Sequence, residues 1–293
     1  MNYNTKGYRT FTIFNYTFLT LAAIACLFPL IHILAVSLSG SAAATANIVK
    51  LWPVDFTLDA YAKTIGNENF LRSLMISFNR VFLGTLISMG LMLCAAYPLS
   101  KTDEEFKGRK IYTWFFVFTM LFNGGLVPTY IVVTQLGLSD TMWALVLPTA
   151  INAFNLILLL NFFRTSVPKS LEEAAFIDGA NHFQIFLKIY LPISVPAIAT
   201  ISLFTMVFHW NSWFDGLIYM TDSRNYPLST FLQTVIVQQD FTNMDVDAEM
   251  LRDLSQRTVQ SAQIFIAALP MLIVYPFLQR YFVKGIVLGS EKE

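Results

Sequence analysis

Charge is what this sequence is short of. Acidic and basic residues make up 13% of its 293 positions, against 55% hydrophobic ones, and the mean hydropathy is +0.56. An ordinary soluble domain carries about 25% charged residues, so so little charge over this length excludes a single water-soluble core. The bilayer is the expected solvent. Neither sign is in excess, since 19 Lys and Arg balance 19 Asp and Glu, and nothing here suits nucleic acid. Cysteine is nearly absent: Cys26 and Cys94 lie far apart in apolar runs, which excludes a disulfide framework and points to packing. His32, His182 and His209 find no ligand-spaced partners, so no metal site is expected. No Gly-Lys dipeptide occurs, so the chain has no P-loop to cradle ATP phosphates. No nucleophile elbow, zinc-protease helix or carboxylate pair is visible either, and the chain does not read as an enzyme.

What is present is apolar length. A helix needs about 20 largely apolar residues to cross the hydrocarbon core, and six stretches qualify: 11–36, 74–99, 111–134, 142–163, 193–213 and 262–283. The expected fold is all-α, one polytopic membrane domain over 1–293 with six transmembrane helices. Lys6 and Arg9 precede the first run, which is too long for a signal peptide and is read as a retained span. Between Lys110 and Arg164 the only charged residue is Asp140, in a short turn-like connection. Pro29, Pro98, Pro128, Pro148, Pro196, Pro270 and Pro276 fall in or beside the spans, where neighbouring helices can satisfy the carbonyls they free.

Orientation follows from the basic residues. With a cytoplasmic N-terminus the inner segments hold Lys6, Arg9, Lys101, Lys107, Arg109, Lys110, Arg164, Lys169, Lys188, Arg280, Lys284 and Lys292, the larger part of the 19. Short loops count most in the positive-inside rule, so both termini are expected in the cytoplasm. The long segments 37–69 and 214–261 then lie outside. The second contains the polar run Gln238 to Glu249, either a surface for an external partner or a solvated loop.

Between the fourth and fifth spans the chain places a charged, helix-prone element over 168–192. Ala174 and Ala175 favour helix, Gly179 permits a turn, and Pro192 closes a second helical run. Glu173-Ala174-Ala175, Asp178-Gly179-Ala180, Ile189 and Leu191-Pro192 at this spacing resemble the EAA signature of membrane subunits in ATP-binding-cassette importers. Asn123 to Tyr130, Leu136-Gly137-Leu138, His209 to Asp215 and the tail Gln279 to Gly285 are similar to the oligosaccharide branch of that family, the maltose-importer-G-like permeases. Within that branch the chain is similar to the lipoprotein-linked permeases and to the second membrane subunit of bacterial alginate importers. The likeness runs from about residue 10 to 289; after Gly289 the ending Ser-Glu-Lys-Glu departs from the family's.

That resemblance implies a type I importer permease in the bacterial cytoplasmic (inner) membrane. It implies a second, paralogous permease subunit, a pair of P-loop ATPase subunits, an extracytoplasmic sugar-binding protein and an oligosaccharide substrate, neutral or acidic such as alginate fragments. ATP and Mg would be held by the ATPase partner, with no cofactor in this chain. Glu173 would contact the motor, Ala174 and Ala175 would allow close approach, and Asp178-Gly179 would set the turn of the coupling helix. The reading from a different class is a secondary transporter or channel without a motor. The near-absence of acids from the middles of the spans argues against ion coupling.

Polar residues in the spans are pathway candidates. Asn152 and Asn155 share a helix face and either bind sugar hydroxyls or tie helices together. Asn123, before two glycines, marks either a kink with exposed carbonyls or a tight helix contact. Trp210, Asn211 and Trp213 either line an outer vestibule, where an indole can stack on a pyranose ring, or anchor the interface. Arg72, Arg80 and Arg224 would suit a uronate, or pair with lipid phosphates and loop acids.

Overall fold

The structure is a computed structural model that describes residues 5–242 and 249–290, with the side chains of 236–255 and 278–290 left out. The tail motif from Gln279 to Gly285 and the whole polar run from Gln238 to Glu249 lie outside the described side chains. The chain is all-helical. Helix α1 spans Lys6–Ser37, α2 Ser41–Thr45, α3 Asp59–Ile65, α4 Glu68–Ser100, α5 Arg109–Leu121, α6 Leu126–Gln135, α7 Met142–Val146 and α8 Ala153–Ser166. The remainder are α9 Lys169–Ile177, α10 His182–Ile185, α11 Leu191–Ile193, α12 Val195–Asn211, α13 Phe214–Tyr219, α14 Leu228–Thr242 and α15 Glu249–Ser290.

Three segments are long and apolar enough to cross a bilayer unbroken: Lys6–Ser37, Glu68–Ser100 and Gln256–Phe277. Three more spans are bent pairs: α5 with α6 at 115°, α7 and its following turn with α8 at 52°, and the His182–Ile193 segment with α12 at 79°. Six spans result when each bent pair counts as one. The third and fourth apolar runs, the cleanest by composition, are therefore among those the backbone interrupts. The breaks have local causes. Phe122 is extended, the Asn123 side chain accepts from Gly125 N–H at 2.8 Å, and Gly125 takes φ +95°, open to glycine and few others. In the fourth span Pro148 sits in a 3₁₀ turn, and Asn152 caps α8 by accepting from Asn155 N–H at 3.1 Å.

Two compact units form, one from 1–71 and 234–269, the other from 72–233 and 270–293. In the first, Ala35, Val36, Ala43, Ala44 and Val49 make a small core where α1 meets α2. Ser37 pairs with Tyr61 at 2.7 Å, and the His32 ring with the Lys50 carbonyl at 2.7 Å. Most of α1 is exposed apolar surface, as at Phe14 and Ile13, which suits lipid or a partner helix. Segment 214–261, expected as a long outer connection, is largely helical where it is described, through α13, α14 and the start of α15.

In the second unit α4, α8 and α12 share a core of Met92, Leu156, Leu159, Phe163 and Ile201, each at or below 1% exposure. Fully burying such a side chain contributes about 1.5–3 kcal/mol. Val167, Ile185 and Tyr190 continue this core into the α9–α10 element. The cysteines depart from expectation: Cys26 and Cys94 are both exposed on their helices rather than packed. Cys94 falls on the face of α4 opposite buried Met92 and Ala96, whereas Cys26 lies in a stretch of α1 exposed on every side, and an apolar run reveals neither.

Candidate functional site

The second unit carries two features that could work on a ligand or a partner. The first is a cavity of about 670 Å³ between α4, the α5–α6 break, the start of α8, and α12. The α5–α6 break brings Asn123 to its wall, and the break before α8 brings Asn152 and Asn155. Three of the four asparagines singled out in the sequence, Asn123, Asn152 and Asn155, therefore meet in one cavity. Asn152 and Asn155 lie at the start of a helix rather than in the middle of a continuous one, because the span breaks at Asn152. Asn123 marks a kink.

Ser88, Thr119, Thr149 and Thr205 add hydroxyls, Phe154, Phe204 and Phe208 add aromatic faces, and among the described residues no charged side chain lines the cavity. Thr205 and Thr119 turn their protons back to helix carbonyls at 2.8 Å, so their free lone pairs face outward as acceptors. The Ser88 hydroxyl is buried without a partner. An array of amides and hydroxyls beside apolar rings suits a polyhydroxylated ligand.

Trp210, Asn211 and Trp213 stand apart from this cavity. Trp210 is buried edge-on to Phe78, ring centroids 5.4 Å apart. Asn211 donates to the Val207 carbonyl at 2.9 Å, and Trp213 is part-exposed against Phe214. The arginines weighed for a uronate are engaged in other contacts. Arg80, fully buried, pairs with Asp215 and donates to the Ser212 carbonyl at 2.9 Å. Arg224 pairs with Asp222 at 2.8 Å, and Arg72 donates to Asn225 at 3.3 Å. Of the two roles considered for them, pairing with loop acids is the one seen for Arg80 and Arg224.

The second feature is the α9–α10 element. Pro168 leads into α9, whose end is closed by Gly179 at φ +81°, with Gly179 N–H donating to Phe176 and Ala180 N–H to Ala175. Asn181 and Gln184 form a reciprocal capping box that starts α10. A π-helical stretch, Phe186–Tyr190, follows, and the chain turns at Ser194 into α12. Glu173 is exposed, 3.9 Å from Lys169, and Ala174 and Asp178 are exposed beside it, with Ala175 half-buried. Ile177, 86% exposed, and Phe183, 68% exposed, flank Gly179.

The neighbouring acid does the opposite. Glu172 is buried, accepting from Lys101 Nζ and, at 2.7 Å, from the Tyr190 hydroxyl. Burial pulls the Lys101 pKa down, and the hydrogen bond to Glu172 works against that fall. Sequence reading gave Glu172 and Tyr190 no role and counted Lys101 only among the inner basic residues. The available signals were an acid one residue out of phase with an exposed one, and a lysine directly abutting a 33-residue apolar helix.

These two features together, a neutral polar cavity and an exposed hinge-like element between the fourth and fifth spans, define a membrane permease subunit, and comparison with known proteins agrees. Residues 106–288 match the family described as binding-protein-dependent transport system inner membrane component. The polygalacturonan/rhamnogalacturonan transport system permease protein YtcP of Bacillus subtilis (strain 168) is 42% identical, covering 97% of this chain and 99% of its own. Protein LplC of the same organism is 41% identical over 99% of this chain and 97% of its own. A chain in the crystal structure of a bacterial ABC transporter involved in the import of the acidic polysaccharide alginate superposes with a TM-score of 0.85. It is 33% identical, and the match covers 96% of this chain and 100% of that one. The chain belongs to the binding-protein-dependent transport system inner membrane component family.

Proposed function

We propose that this chain is one of two unlike membrane subunits of an ATP-driven oligosaccharide importer, lying in the cytoplasmic membrane with both termini inside. A P-loop ATPase partner, holding ATP and Mg, would dock on α9–α10 through Glu173, Ala174, Ala175 and the Asp178-Gly179 turn, with Ile177 and Phe183 as its apolar contacts. A sugar-binding protein would deliver the substrate from outside. The cavity at Asn123, Asn152 and Asn155 would form this chain's half of the pathway.

The observation that carries the reading is the placement of both features on one compact unit. Helix α4 runs from the cavity wall at Ser88 and Met92 to the element at Lys101, roughly 20 Å at 1.5 Å per residue. Movement imposed at the element has a continuous helical route to the cavity. The substrate class follows from two considerations. One relative is named for polygalacturonan and rhamnogalacturonan transport and one similar structure for the import of the acidic polysaccharide alginate, and the cavity lining is neutral. We infer an oligosaccharide rich in uronic acid, whose hydroxyls meet this chain and whose carboxylates are met by the second permease subunit.

The test is mild-detergent purification of the chain from its native membrane, followed by reconstitution and uptake of labelled sugars. A second permease and a P-loop ATPase should accompany the chain, and uronic oligosaccharides should outcompete neutral ones. Glu173→Lys should uncouple hydrolysis from uptake while membrane insertion persists. A chain that purifies alone, or unimpaired uptake by that variant, would refute the assignment of the docking element.

A further inference from the structure

The group that the proposed mechanism leaves unused is the buried Lys101–Glu172–Tyr190 cluster. Its bonding is closed. One carboxylate oxygen of Glu172 takes Lys101 Nζ and the other takes the Tyr190 hydroxyl at 2.7 Å. Lys101 Nζ also donates to Tyr190 Oη at 3.0 Å, and lies 4.1 Å from the Tyr97 ring centroid and 4.3 Å from that of Tyr190. The hydroxyl of Tyr97 pairs with His182 Nδ1 at 3.2 Å. Four pieces of chain are joined in this way: the end of α4, α9, the start of α10, and the π-helical stretch.

Stability alone does not call for this arrangement. A buried ion pair recovers little more than its desolvation cost, and apolar residues of similar volume commonly serve as well or better. What charge adds is direction. Apolar side chains can slide past one another within a continuous core, whereas a slip of α9 against α4 here would strand a buried carboxylate and a buried ammonium at once. Successive helix residues point about 100° apart, so Glu173 can face a partner while Glu172 holds the element to its own subunit.

We propose that Lys101, Glu172 and Tyr190 act as a clamp that makes the α9–α10 element and α4 move as one body, so that displacement at the docking surface reaches the cavity wall. Lys101 and Glu172 are positioning residues. The inference rests on the reading that an ATPase docks on α9–α10, and adds the internal linkage that the docking would drive.

The test uses the complete complex in proteoliposomes and reads sugar transported per ATP hydrolysed, alongside the thermal stability of the complex. E172Q is nearly isosteric and leaves Lys101 without its counter-charge; K101M/E172Q removes both charges. With E172Q the ratio should fall by about tenfold or more, in the range of ordinary coupling energies. In K101M/E172Q stability should recover while the ratio stays low, which a merely structural pair would not show. Recovery of both in the double variant, or a wild-type ratio in E172Q, would overturn the clamp. Glu173→Lys separates the two ideas. If it abolishes coupling while E172Q does not, only the clamp fails. If wild-type chain retains no P-loop ATPase, the docking reading fails and the clamp falls with it.

Discussion

The polar groups around the cavity and those around the α9–α10 element are managed in opposite ways. In the cavity they are neutral, they bond mainly within their own helices, and the Ser88 hydroxyl has no partner at all. At the element the Lys101–Glu172–Tyr190 group is charged, buried and mutually satisfied, while Glu173 and Asp178 stay exposed. Such a difference is what a ligand path and a lever require. A path must offer hydrogen bonds it has not already made, whereas a lever must leave none of its own open to slippage. Helix α4 belongs to both regions. On the far side of the cavity from Lys101 it carries a second buried ion pair, Arg80 with Asp215, so charge holds the helix on either side of the segment that lines the pathway.

The largest effect should come from breaking that second pair. Arg80 is fully buried, and Asp215 also accepts from the Ser212 hydroxyl at 3.1 Å and from Gly216 N–H at 2.9 Å. Asp215→Asn should destabilise the fold by about 3–5 kcal/mol, because it leaves a buried guanidinium uncompensated. Arg80→Met combined with Asp215→Asn should restore much of that loss in a detergent melting assay. The next effect is steric. A methyl group added at Gly84 would sit 2.5 Å from His209 Nε2, inside any allowed contact, whereas Gly90 on the same helix has nothing within 4 Å. Gly84→Ala should therefore cost about 1–3 kcal/mol, and Gly90→Ala should be close to neutral. Equal melting temperatures for the two would show that α4 and α12 are not packed closely at this point.

Much of this architecture was legible in the sequence. Six apolar runs gave six spans, the Glu-Ala-Ala to Leu-Pro spacing marked the element, and the three asparagines of the apolar middle converge on one cavity. The breaks inside the third and fourth spans were harder to see, because hydropathy sums over residues and does not register an Asn side chain that caps a helix or a glycine held at φ +95°. The buried charges were hidden for a related reason. Arg80 reads as a residue near a span entrance, and Glu172 as a twin of Glu173; only packing decides which of two adjacent acids turns inward. The tryptophan motif stayed open between vestibule and interface anchor, because hydropathy does not show which neighbours an indole will meet; packing sets Trp210 against Phe78.

Substitution within the cavity should sharpen the contrast at lower cost. Asn152→Ala removes the cap of α8 and should cost about 1 kcal/mol, while Asn152→Ser should keep most of the cap. Asn155 offers only its backbone N–H to that cap. Asn155→Ala should thus leave melting nearly unchanged but raise the sugar concentration needed for half-maximal uptake. Unchanged uptake would remove this asparagine from the pathway.

The smallest expected effect lies at Asp140, where the connection between α6 and α7 is tied to the one after α13. Its carboxylate accepts from Thr221 N–H at 2.6 Å and from the Thr221 hydroxyl at 2.7 Å, and Asp140 itself sits at φ +59°. These bonds, the side-chain one first, hold its pKa below the ordinary carboxylate value. A depressed folded pKa gives stability that is fully present above the unfolded value, near 3.9, and is lost as pH falls through the folded one. The melting difference between wild type and Asp140→Asn should therefore stay constant from about pH 7 to pH 5 and narrow below about pH 4. Because the group is exposed, the difference should be small throughout, and Thr221→Val should reproduce part of it at neutral pH. A gap that widened on acidification would mean that the tie is made by the protonated acid, contrary to the geometry in which both oxygens accept.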